Sequence, residues 1–226
     1  MKNANETYYR RHAIYYYLFF YFIEIQVYRE LSGKLEKSKR KQVIKDIRRV
    51  YKEEIPRMPY IGGKDSYLTY FLVGGVWVYA LFLALKRVEI ENEQAGQVLF
   101  NVTSRGMHLI PRFIRSLATR FILGETNINR YRKLDEYTSR REFPVNWVLK
   151  FVEGDGKDFV YGVDYIECGL CKYFKLKGFE NYSKYICVFD FAFYNGLPGI
   201  RLTRTQTLAE GYPVCDYRFY RDNTKK

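Results

Sequence analysis

The stretch Ser66–Leu85, SYLTYFLVGGVWVYALFLAL, constrains the fold more than any other: twenty residues pass without a charge, between Lys64-Asp65 and Lys86-Arg87. A run of that length must leave water, either across a bilayer or at the centre of a helical packing. The Gly74-Gly75 pair, the hydroxyls of Tyr67, Thr69, Tyr70 and Tyr79, and the lack of a second such run favour a helix buried all round. Ser66 is suited to cap its start. The expectation is no membrane span and a helical layer built around this segment.

The flanking sequence supplies the rest of that layer. Arg10-Arg11 precedes the uncharged Ala13–Ile23, but no small-residue cleavage site follows, so a buried helix from about Thr7 to Leu31 is expected in preference to a signal peptide. After Ser32-Gly33 an amphipathic helix carries Val43, Ile44, Ile47, Val50 and Tyr51 on one side and stops before Pro56 and Pro59. From Glu91 to Phe121 the apolar residues Val98, Leu99, Met107, Leu109, Ile110, Phe113, Ile114, Leu117 and Phe121 predict one helix, kinked at Pro111 and ended by Gly124. Asn127–Arg141 reads as a charged helix or loop.

At Pro144 the pattern changes period. Asn146–Glu153 alternates, Gly154-Asp155-Gly156 turns, and Phe159–Glu167 resumes as a strand. Helices are expected over Cys168–Lys177, with Gly178 as C-cap, and over Ser183–Asn195. Arg201–Leu208 and Val214–Tyr220 then alternate again around Gly211-Tyr212-Pro213. The fold class is therefore α+β: a helical N-terminal half (1–143) packed on a C-terminal half (144–226) with an antiparallel sheet of about four strands and two interspersed helices, as one domain.

Charge and cysteine narrow the function. The net charge of +13 admits nucleic acid, an anionic membrane surface, or a basic protein with an acidic substrate. The densest basic region, Lys34–Arg49, is amphipathic and reads as a solvated helix face, and no RNA- or DNA-binding signature accompanies it, so no nucleic-acid partner is expected. All four cysteines lie in the last third, which suits a reduced, cytoplasmic compartment better than a disulfide scaffold. The 23 tyrosines read mainly as packing, since they are spread along the chain. His12 and His108 sit in apolar or basic stretches and read as structural.

The chemistry-bearing residues concentrate after Cys168. Cys168-x-x-Cys171 opens a predicted helix, a placement that lowers a thiol pKa. Cys187 and Asp190 are three apart on an otherwise apolar helix, so Asp190 needs a cationic partner or a chemical task; Arg201, Arg204 and Arg218 are the candidates for pairing. In the last strand Cys215, Tyr217 and Phe219 share one face, and Asp216, Arg218 and Tyr220 the other.

The series Cys168, Phe174, Gly178, Cys187-x-x-Asp190, Arg204-Thr205-x-Thr207-x-Ala209-x-Gly211 and Cys215-Asp216-x-Arg218-Phe219 resembles the L-2-amino-thiazoline-4-carboxylic acid hydrolase family. The resemblance implies hydrolytic opening of a cyclic amidine, 2-aminothiazoline-4-carboxylate, toward S-carbamoylcysteine. Such a reaction needs a nucleophile at the ring C=N carbon, an acid for the departing nitrogen and a cation for the carboxylate. Cys215 with Asp216 is expected as nucleophile and base, Asp190 as alternative base, and Thr205 and Thr207 as donors to the tetrahedral centre. Arg204 or Arg218, with Cys187, is expected to bind the substrate. A metal-free site is preferred; the alternative is zinc held by Cys168, Cys187, Cys215 and Asp190. The rival function is a non-catalytic small-molecule-binding domain on the same fold. The sequence leaves the oligomeric state open, a homo-oligomer included.

Overall fold

The structure, a computed structural model, describes residues 9, 17, 20–155, 159–222 and 224. The start expected for the first helix at Thr7, His12, and Gly156 at the end of the first strand turn lie outside them.

Helices come first. α1 (20–30) ends ahead of Gly33, whose φ of +87 reverses the chain. α2 (Lys37–Glu54) then runs until Pro56, which sits in a 3-10 turn over Ile55–Arg57. Val43, Ile47, Val50 and Tyr51 form its buried stripe. The uncharged segment becomes α3 (Leu68–Arg87), packed against α2, and 78% of its most apolar window is buried. Its all-round apolarity is thus accounted for by neighbouring protein. Asp46 of α2 ties the two helices by pairing with Arg87 at 3.2 Å. Ser66 does not cap α3: the N-cap is Tyr67, and among the described residues the buried Ser66 hydroxyl finds no partner.

Two helices replace the single kinked one expected over Glu91–Phe121. α4 (Asn92–Leu109) and α5 (Arg112–Ile122) are separated at Ile110, which is extended (φ −76°, ψ 127°) because it precedes Pro111. The consequence is large. Val98, Leu99 and Met107 are buried as expected, whereas Leu109, Phe113, Ile114, Leu117 and Phe121 face outward. α6 (Glu125–Ser139) follows as a helix that packs on the first strand.

The sheet is antiparallel throughout, with β1 (Val148–Glu153), β2 (Phe159–Glu167), β3 (Ile200–Thr203) and β4 (Cys215–Arg221) in the order β1-β2-β4-β3. Register places Leu149, Phe151, Val163, Tyr165, Cys215, Tyr217, Phe219 and Leu202 on the face that the helices cover. Tyr161 stacks on Phe219 at 4.6 Å and Tyr194 meets Phe219 edge-on at 5.2 Å, extending the aromatic core from sheet to helix. The opposite face is polar: Arg218 pairs with Asp164 and Arg201 lies over the Tyr220 ring.

Between β2 and β3 come α7 (Gly169–Leu176), closed by Gly178 at φ +67°, and two helices where one was expected. α8 (Ser183–Ile186) and α9 (Val188–Asn195) meet at Cys187. The β-branched Ile186 and Val188 weaken helix formation on either side of that joint. β3 is also shorter than the strand expected to reach Leu208. After Thr203 the amides of Thr205 and Gln206 turn to the Asp216 carboxylate, at 2.8 and 2.7 Å, instead of continuing the ladder. The result is α+β, helices first and a four-stranded antiparallel sheet last.

Candidate active site

The helix-covered face of β4 meets α9 and the chain after β3 at one buried polar cluster. Asp190, in the first turn of α9, accepts from the Tyr217 hydroxyl at 2.5 Å and from Arg204 Nη1 at 3.0 Å. Arg204 Nη1 also donates to the Tyr217 oxygen at 2.9 Å and to the Cys187 carbonyl at 3.2 Å. Its guanidinium lies 4.8 Å above the Phe191 ring. The Arg204 side chain is 6% exposed and that of Asp190 28%, so the carboxylate is the member of the pair that meets solvent.

Electrostatics follow from this enclosure. Removal from water raises the Asp190 pKa above the ordinary carboxylate value; the Tyr217 hydrogen bond and the Arg204 charge offset only part of the rise. Burial would depress Arg204, but Tyr217, Asp190 and Cys187 facing it outweigh that and keep it cationic. Burial, with Asp190 beside it, holds Tyr217 well above its ordinary value and hence protonated. Tyr194 and Tyr131 are shifted up by burial and also feel Asp190 and Tyr67. Tyr165 stands edge-on to Tyr217 at 5.1 Å and completes the aromatic wall. The tyrosines read from sequence as packing thus supply the site's hydroxyls. Tyr217 alone carried a signal, its shared parity with Cys215 in β4.

The four thiols are not equivalent. Cys168 occupies the N-cap of α7, and its pKa is lowered: the Cys171 thiol bonds to its sulfur first, against the cost of burial, and the backbone amides of Cys171 and Leu170 add to the effect. Hydrogen bonding to Cys168 and burial push Cys171 the other way. Burial raises Cys187 well above its ordinary value and lifts Cys215 to about 11. The Cys215 sulfur, 5% exposed, accepts from the Leu208 amide at 3.2 Å. Cys168 is therefore the one thiol of the four whose pKa is lowered, at the helix start that Cys-x-x-Cys marks in the sequence.

The remaining expected residues go elsewhere. Asp216 projects from the opposite face of β4 to Cys215 and accepts from Thr205 N, Thr205 Oγ1 at 2.6 Å and Gln206 N. Those bonds hold its pKa low despite desolvation. Thr207 caps the 3-10 turn Leu208–Glu210 by accepting from Glu210 N at 3.2 Å. Arg218 is committed to Asp164 at 2.5 Å. Asp216, Thr205 and Thr207 thus brace the 204–214 loop that delivers Arg204. Among the described residues no three His, Cys, Asp or Glu side chains are grouped as a metal site.

A cavity of about 520 Å³ is lined by Cys171, Lys175, Glu180, Lys184, Tyr185 and Leu208 among others. It gives Cys171 a route to solvent, and Lys175 and Lys184 have no carboxylate partner among the described residues.

A comparison with curated proteins finds no match. A family model described as L-2-amino-thiazoline-4-carboxylic acid hydrolase matches residues 75–219, a span that runs from the middle of α3 to the end of the site strand and contains Cys168, Asp190, Arg204 and Tyr217. With that match over more than half of its length, the chain belongs to the L-2-amino-thiazoline-4-carboxylic acid hydrolase family.

Proposed function

We propose that this chain is a hydrolase that opens a small, carboxylate-bearing cyclic amidine of the 2-aminothiazoline-4-carboxylate type by cleaving its ring C–N bond. The observation that carries the proposal is the buried polar cluster in which Asp190 is bonded to Tyr217 and Arg204 and interacts electrostatically with Cys168. A nucleophile and a proton carrier are what amidine hydrolysis requires.

In this reading Cys168 adds to the amidine carbon as its thiol gives up its proton. The Asp190 carboxylate accepts the thiol proton and gives it to the ring nitrogen as the C–N bond breaks. The carboxylate then takes a proton from water, the hydroxide adds to the same carbon, and the Cys168 thiolate leaves. The product is a thiocarbamate that retains the ring sulfur and bears a free amine. Arg204 and Tyr217 orient Asp190 and bias its protonation through their bonds to Oδ2. Since Arg204 and Arg218 are both committed to carboxylates of the chain itself, Lys175 and Lys184 on the cavity wall receive the substrate carboxylate. No metal enters this scheme, and cytoplasmic conditions keep the thiols reduced as it needs.

The test is turnover of 2-aminothiazoline-4-carboxylate followed by mass spectrometry. Cys168→Ser and Asp190→Asn are each expected to cut kcat by at least ~100-fold, whereas Cys215→Ser retains activity. Full turnover by Cys168→Ser with loss in Asp190→Asn would replace the thiolate by a directly activated water. Tight retention of the ligand with no product from the unaltered chain would move the function to non-catalytic binding.

A further inference from the structure

α5 is built inside out. Two of its polar residues point inward: Arg115 Nη1 donates to the Gly196 carbonyl at 2.6 Å, and Thr119, its one buried residue, donates to the Pro198 carbonyl at 2.7 Å. Its apolar stripe, Phe113, Ile114, Leu117 and Phe121 at helical spacing, faces solvent, with Phe113 67% and Leu117 56% exposed. Leu109 and Ile110 extend the stripe at one end. At the other, Arg130 lies over both Phe121 and Tyr67, and the exposed Tyr70 continues the surface from Tyr67. A soluble chain rarely leaves so continuous an apolar patch uncovered.

Charge selects the occupant. No acidic residue occurs between Glu93 and Glu125, while Arg112 and Arg120 flank the stripe, exposed and without a carboxylate partner among the described residues. A second copy docked by the same patch would set these arginines against themselves. Tyr9 and Tyr17, the described residues of the N-terminal segment, are anchored on Pro59, Tyr60 and Tyr51. We propose that α5 is an interfacial docking helix for an anionic lipid surface, its phenylalanine and leucine side chains entering the acyl boundary and its arginines meeting the headgroups. This proposal is independent of the hydrolase reading.

Flotation of the full chain with vesicles of phosphatidylcholine alone, or of phosphatidylcholine mixed with phosphatidylserine, tests it. Binding is expected only to the anionic vesicles and weakens as salt is added. Leu117→Asp, a change at an exposed site that leaves the urea melt in place, lowers partitioning at least ~tenfold, and each of Arg112→Gln and Arg120→Gln lowers it about fivefold. Equal binding to neutral and anionic vesicles overturns the charge-selected occupant. Binding to neither overturns the proposal, and self-association in sedimentation that Leu117→Asp abolishes would assign the patch to a second copy.

Discussion

Replacing Arg204 by methionine isolates what holds the polar cluster together. The substitution keeps most of the side-chain volume against Phe191 and Tyr217 but removes every bond made by Nη1, at 3.0 Å to Asp190, 2.9 Å to Tyr217 and 3.2 Å to the Cys187 carbonyl. Asp190 is left as a carboxylate with the Tyr217 hydroxyl as its remaining bond. Breaking a buried pair in this way costs ~3–5 kcal/mol. Because Asp190 retains 28% of its side-chain exposure, the lower end, about 3 kcal/mol at pH 7, is expected. For a chain of this size that lowers Tm by roughly 6–12 °C.

The sign of the pH dependence makes the prediction specific. The folded pKa of Asp190 already lies above its unfolded value, so its contribution to stability is complete below the unfolded pKa and is lost as pH rises through the folded one. Without Arg204 the folded value rises further. Lowering the pH from 7 to 5 moves the variant's carboxyl toward protonation, so the unpaired charge is relieved and the cost of the substitution shrinks, by at most ~1.4 kcal/mol per unit of pH. Adding Asp190→Asn to Arg204→Met is expected to recover most of the loss at pH 7, leaving about 1 kcal/mol from the unpaired carbonyl and packing change. Urea denaturation at both pH values, read by circular dichroism, gives the four-member cycle. A cost for Arg204→Met that is unchanged at pH 5, or two substitutions whose costs simply add, would refute the coupling.

Three further outcomes follow from the same geometry. Iodoacetamide at pH 7 should label Cys168 ahead of the other thiols, since its pKa alone is lowered while burial raises Cys187 and Cys215; peptide mapping that finds Cys215 labelled first would contradict the assignment. Asp216→Ala should cost about 1–2 kcal/mol at neutral pH by freeing the Thr205 and Gln206 amides, and because its folded pKa is depressed, the difference from the unaltered chain should fade as pH falls through that value; an undiminished difference in acid would refute it. Gly169→Ala places a Cβ 2.5 Å from the Trp147 ring at the opening of α7, so a loss of ~1–3 kcal/mol and slower Cys168 alkylation are expected; an unchanged melt would show that Trp147 can move aside.

The fold was legible where one periodicity persisted over a whole element. α3 was recognisable because its environment is uniform, and β1, β2 and the covered face of β4 because alternation survives where one side is buried and the other wet. Failures fell where one local interaction overrides the pattern. Pro111 divides a run whose apolar spacing continues across it, and only packing reveals that the second half turns its stripe outward. The Asp216 carboxylate captures two amides and ends β3 early, an event with no signature in alternation.

The site was legible only in its inventory, because adjacency in sequence is misleading on a strand. Cys215 and Asp216 are neighbours in the chain yet project to opposite faces of β4, one into the core and the other toward the 204–214 loop. The parity that separates them brings Tyr217 onto Asp190. Likewise Arg204 and Arg218 are equivalent by residue type, but one lies past the end of β3, where the chain can fold over the helix-covered face, and the other is fixed by register opposite Gly162 on the polar face. The thiol hierarchy needs a third dimension as well. Cys168 gains thiolate character from a helix start and a neighbouring thiol, while Cys187 and Cys215 are raised by burial, so exchanging Cys168 and Cys215 in function would require moving an α-helix rather than changing a residue.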